Sequence, residues 1–292
     1  MNESVSLLSM KIIASRDRAP DVWGADVPGA YAHRFGGTPQ PKSMTDKPIV
    51  GLLGMFRAGL LGLVMLGPCL AGDEDLAVVE LFTSQGCYSC PPAEAFLREL
   101  AHEQPQVLAL EFHVDYWDDL VYGSAGKWKD PFSDPSFTLR QRGYNQRPLD
   151  GRRGVYTPQM IINGQHAEVG SDRARIAPLL DRAASLKPLS VRVARADAGI
   201  LVTVGGSQDG SAGIWLVSFD RELKTSVTAG ENQGKMLVSN NVVRELRRIG
   251  DWRGMEVSIP VDVMLGPHQG CAVLVQSIAP GPVLGVGRCP EA

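Results

Sequence analysis

Two cysteines separated by two residues, Cys87-Tyr88-Ser89-Cys90, stand where an apolar strand gives way to a helix. Upstream, Ala77-Val78-Val79-Glu80-Leu81-Phe82 reads as a buried strand, and downstream Ala93, Phe96, Leu97 and Leu100 recur at helical spacing. Thiols at such a junction can close into a small disulfide ring and reopen, so the pattern predicts an α/β fold and thiol–disulfide chemistry. It names no substrate.

The chain has 292 residues, 44% of them apolar and 21% charged, which is ordinary for a globular protein. A net charge of -3 supplies no concentrated basic face, so nucleic acid is not expected as a partner. Residues 1–54 mix Gly, Pro, Ser and isolated charges without a sustained period and read as a disordered or mis-annotated extension. Residues 55–71 follow the anatomy of a secretory signal: Met55-Phe56-Arg57, an apolar run from Ala58 to Leu66, then Gly67-Pro68-Cys69-Leu70-Ala71. That run falls short of the roughly 20 residues of a membrane span, and no stable span is expected after cleavage. An uncleaved anchor and a buried helix are the competing readings. Pro68 fits a lipoprotein cleavage site at Cys69 poorly.

Four cysteines follow the signal, an even number suited to an oxidising compartment. Cys87 and Cys90 form one natural pair. Cys271 and Cys289 lie on two strand-like stretches joined by Ala279-Pro280-Gly281, and a hairpin there brings them together as a structural disulfide or as two buried thiols.

A second strand is expected over residues 107–114, a long segment from Asp115 to Tyr156 with one helix over 136–145, then a strand from Pro158 and a turn at Asn163-Gly164. Ser171 suits the N-cap of a helix over 172–185. The order βαβ, insertion, ββα over residues 75–187 is the thioredoxin order. Past Lys187-Pro188, residues 188–292 read as a smaller β-rich, sandwich-like domain, interrupted by a helical or looped piece over 240–248.

In this frame Cys87 is the attacking thiol and Cys90 the resolving one, although Pro91 and Pro92 push Cys90 away from helical angles and set Cys87 back from the helix dipole. Thr157-Pro158, ahead of the strand Gln159-Met160-Ile161-Ile162, takes the place of the cis proline that lies beside the disulfide in thioredoxins. His113 is positioned to shuttle protons, with Asp115 orienting it; Tyr116, Trp117 and Tyr156 are candidate substrate contacts. The same cluster can equally serve as a sheet-edge cover. Cys87, Cys90 and His113 also suit copper, but no closed four-ligand metal site has a recognisable spacing. A third reading makes the pair an inert bridge in a binding protein. No cofactor is implied.

The chain resembles the secreted thioredoxin-like proteins known as domain of unknown function 1223. The resemblance rests on Val79-Glu80-Leu81-Phe82-Thr83-Ser84-Gln85-Gly86-Cys87-Tyr88-Ser89-Cys90-Pro91-Pro92-Ala93, Phe112-His113-Val114-Asp115-Tyr116-Trp117, Trp128-Lys129-Asp130-Pro131-Phe132, Gln141-Arg142, Val155-Tyr156-Thr157-Pro158-Gln159 and Gly170-Ser171-Asp172. Gly230-Glu231-Asn232 and Asn241-Val242-Val243-Arg244 extend it to the C-terminal part. It implies a thioredoxin-like domain followed by a β-rich one, and export to the bacterial periplasm or beyond. It carries no reaction; an exported protein or small thiol is the expected partner. The segments around Trp128 and Gln141 imply an insertion folded over the cysteines, or one merely fastened down by those residues.

Overall fold

The computed structural model describes residues 76–292, apart from 122, 148, 150–153, 184–187, 208, 278–279 and 292. The expected extension and signal segment lie outside the described residues. Among the described residues, no helix is long and apolar enough to cross a membrane.

The cysteine pair sits on a short parallel unit. β1 (Ala77–Thr83) leads into α1 (Pro91–Glu103), which returns to β2 (Val107–His113) alongside β1. Every residue of β1 and β2 is buried, because both faces of the sheet are covered. Alternation sorts the side chains. Ala77, Val79 and Leu81 join Phe96, Leu97 and Leu100 of α1, while Val78 and Phe82 pack with Leu110, Phe112 and Phe137 on the opposite face. Phe137 belongs to α2 (Pro135–Tyr144), the helix expected in the insertion, which starts on the Asp134 side-chain cap of the Ser136 N–H.

β3 (Gln159–Ile162) runs antiparallel to β1 and turns into β4 (His166–Val169) through Asn163 and Gly164, both at positive φ as a tight hairpin turn requires. α3 (Arg173–Ala183) then lays Ile176, Leu179, Leu180 and Ala183 on the α1 side. Asp172, one residue beyond the expected Ser171, accepts from the N–H groups of Arg175 and Ile176 at its start.

The remaining strands divide between two sheets. β7 (Ala212–Ser226), β8 (Met236–Trp252), β10 (Gln269–Gln276) and β11 (Val283–Arg288) continue the first sheet, giving eight strands in the order β11-β10-β7-β8-β2-β1-β3-β4. β5 (Ser190–Ala196), β6 (Gly199–Gly205) and β9 (Val257–Val261) form a separate three-stranded sheet. Val191, Ile200, Val202 and Val204 of the small sheet share a core with Ile214, Leu216, Val273 and Val275 of the large one. The interruption expected over 240–248 is corrected: those residues lie within β8, and register shifts opposite Ile214/Trp215 and Ser218/Phe219 accommodate the extra residues. Asn241, at positive φ, lies outside both shifts, between residues paired with Asp220 and Glu222.

Candidate functional site around the Cys87–Cys90 disulfide

The C-terminal ends of β1 and β2 carry the site. Cys87 and Cys90 form a disulfide with Cα atoms 5.4 Å apart, and the Cys90 N–H donates to the Cys87 carbonyl to close the turn. Cys90 is the N-cap of α1 with Pro91 next, but it adopts helical angles (φ -79, ψ -37) rather than the extended ones expected before proline. The Ala93 and Glu94 N–H groups both donate to the Cys90 carbonyl, and this turn holds the angle despite Pro91. With two prolines lacking N–H groups and the next two amides engaged, the helix start offers sulfur no spare backbone donor.

Both cysteines have no measurable exposure. The Cys87 Sγ lies 3.4 Å from the Ser89 hydroxyl, and Ser89 and Tyr88 face solvent. Asn232, from the connection between β7 and β8, braces the turn. Its Nδ2 donates to the carbonyls of Gln85 and Cys87, both at 2.9 Å, while Glu231 accepts from the Tyr88 N–H. Lys235 donates to the Asn232 Oδ1 and lies 4.4 Å from the centre of the Tyr88 ring.

The Thr157–Pro158 bond is cis. Trp117 ties it to the cysteine turn: its Nε1 donates to the Thr157 Oγ1 at 2.8 Å, and its Cβ would stand 3.3 Å from a methyl group placed on Gly86. Gly170 closes the other side. A Cβ there would lie 2.9 Å from that of Ala93 in α1 and 3.3 Å from that of Pro158, so only glycine lets these segments meet. Tyr116 donates to Gln141 Oε1, and Gln141 Nε2 donates to the Tyr156 carbonyl and to Gln159. Gln141 thus fastens α2 to the strand that carries Pro158. Burial pushes the Tyr116 phenol up to about 12.

His113 is fully buried, and its partners are not the expected ones. Nδ1 meets Asp130 at 2.7 Å and Nε2 meets Glu111 at 2.9 Å. Asp115 turns away, accepting from the Thr138 hydroxyl and orienting α2 instead. Burial opposes charge on the imidazole, but the two flanking carboxylates prevail and raise its pKa well above the ordinary value. Asp130 also accepts from the Gln85 N–H, two residues before Cys87, so the His113 chain reaches the cysteine turn directly.

Glu94 completes the cluster. It is buried in the first turn of α1 and accepts from the Thr83 hydroxyl at 2.7 Å. Burial, reinforced by Glu111, pushes its pKa up to about 8. Glu94, Glu111, Asp130 and Asn232 were not singled out as site residues, although Glu80 and Glu111 inside otherwise apolar strands are visible departures from pattern. The second pair, Cys271 and Cys289, is also a disulfide, 5.3 Å between Cα atoms, and ties β10 to the end of the chain.

A model of the family described as protein of unknown function (DUF1223) matches residues 78–276. The chain is similar to an Agrobacterium tumefaciens protein whose X-ray crystal structure is solved, with 30% sequence identity and a TM-score of 0.60, over 74% of this chain and 94% of that one. A comparison with curated proteins gives no match.

Proposed function

The chain belongs to the DUF1223 family of proteins of unknown function, and from that premise we propose that it is an exported thiol–disulfide oxidoreductase acting through Cys87 and Cys90. What supports the reading is the pair at the start of α1, with exposed Tyr88 and Ser89 between the two cysteines and the cis Thr157–Pro158 bond linked to their turn through Trp117. In this reading residues 75–187 form a thioredoxin-like unit, residues 188–292 form a β-rich addition that guards it, and residues 55–71 direct the chain to the periplasm or beyond.

The reduced Cys87 thiolate attacks a partner disulfide, forming a mixed disulfide and releasing one partner thiolate. Cys90 then attacks the Cys87 sulfur, releasing the second. Two electrons pass from the cysteine pair to the partner, and the reverse sequence oxidises a partner dithiol. Thr157 and Pro158 position the partner chain, with Tyr116, Trp117 and Tyr156 around it. His113 holds the turn through Asp130 and Gln85 rather than through Asp115. Copper is not carried forward, because both imidazole nitrogens already have carboxylate partners.

Turnover of a model disulfide by the full chain tests the proposal. Cys87→Ser abolishes it, Cys90→Ser accumulates mixed disulfides, and Asn232→Ala, which removes two hydrogen bonds that brace the cysteine turn, speeds reduction of the pair by dithiothreitol about tenfold. A bridge that resists reductant equally in the parent and in Asn232→Ala, with no turnover, leaves an inert structural disulfide instead.

A further inference from the structure

At the opposite end of the sheet a cavity of about 340 Å³ opens beside the start of β2 and the second disulfide. Along β2 its lining ends at Ala109, four residues before His113 at the cysteine end of that strand, a distance of roughly 13 Å. Its lining mixes apolar groups, Leu108, Phe219 and the Cys271–Cys289 bridge, with polar ones, Asn240, Arg221 and Arg288.

Asn240 is 2% exposed, and its Oδ1 is engaged by the His102 ring at 3.3 Å. Its Nδ2 has no hydrogen-bond partner. A buried donor left so is costly, and a ligand oxygen at this spot removes that cost. Arg288 is held in the wall by donating to the Val107 carbonyl. Arg221 stands at the rim, 3.6 Å from the carboxylate of Glu291. Glu291 is almost fully exposed, so this pair is weak and readily exchanged. The tail carboxylate thus stands where an incoming one would bind.

A lining that combines apolar side chains with an unpaired amide and two guanidinium groups selects for a ligand with two unlike ends. We infer that this cavity, lined by Asn240, Arg221, Arg288 and Phe219, is a binding site for a small organic carboxylate. The carboxylate accepts from Asn240 and the arginines while a body of a few carbon atoms or one ring packs on the apolar lining.

Calorimetric titration of the full chain with hexanoate, hexanamide and inorganic phosphate tests this. Hexanoate is expected to bind one per chain with saturation below about 10 mM. Hexanamide, lacking the charge, and phosphate, lacking the apolar body, each bind about tenfold more weakly or not at all. Arg221→Gln, an exposed change that leaves the fold intact, weakens hexanoate about tenfold, and Asn240→Ala does the same where the variant folds. Absence of saturable hexanoate binding, equal binding of either control, or unchanged affinity in Arg221→Gln overturns the inference. None of these outcomes depends on the redox activity of Cys87.

Discussion

Glu94 is a carboxyl that burial, with Glu111 nearby, keeps protonated up to about pH 8, against an ordinary value of 4.5. Between those two values the folded chain binds a proton at this site that the unfolded chain has lost, so stability falls as pH rises across the window. His113, whose pKa is raised, acts in the same direction: its contribution is complete below its unfolded value of about 6.5 and is lost as pH rises through the folded one. Glu94→Gln removes the first of these slopes. Urea midpoints measured from pH 5 to pH 8 are expected to flatten in the variant, whose stability gains on the parent as pH rises; parallel curves would exclude a protonated Glu94. At this scale the sequence singled out His113 but not its partners. β2 ends at His113, so alternation could not carry the argument on to Asp115, and Asp130 arrives from seventeen residues away through the fold of the insertion.

Elements are joined by buried polar groups as much as by apolar ones. Arg140 of α2 makes two hydrogen bonds to Glu80 of β1 and reaches Gln276 at the end of β10, and Tyr144 donates to the same Glu80. Burial works against the guanidinium charge, but Glu80 more than compensates and raises its pKa further. Arg140→Met strands the Glu80 carboxylate in the interior and is expected to cost about 3–5 kcal/mol in chemical denaturation. Pairing it with Glu80→Met returns most of that loss, and a double variant as unstable as the single one would contradict the pairing argument. β1, α1, β2 and the last hairpin were legible because apolar period and turn residues agree there. β8 was not, because Asn240, Asn241 and a run of arginines look like a loop until a long partner strand, β7, supplies the hydrogen bonds.

One sheet runs from β4 to β11 through both parts of the chain, with β2 beside β8. One buried core draws Phe82 and Phe112 together with Val217, Val243 and Leu274. A chain ending at residue 187 therefore leaves β2 with an open edge and half of that core exposed. It is expected to lose cooperative thermal unfolding and the dispersed amide spectrum of a folded protein, whereas the full chain melts in one transition. A truncated chain with a sharp melt would show that residues 75–187 fold alone. Composition suggested a boundary at Lys187-Pro188, but pairing between distant strands leaves no local mark, so a shared sheet was not legible.

The clasp of Asn232 on the carbonyl of Cys87 spans 145 positions along the polypeptide. A growing chain therefore presents both thiols long before the side chain that braces their turn has been made. During that interval any oxidant or stray thiol can reach them, and correct pairing must be achieved early or restored once the last third of the molecule has taken its place.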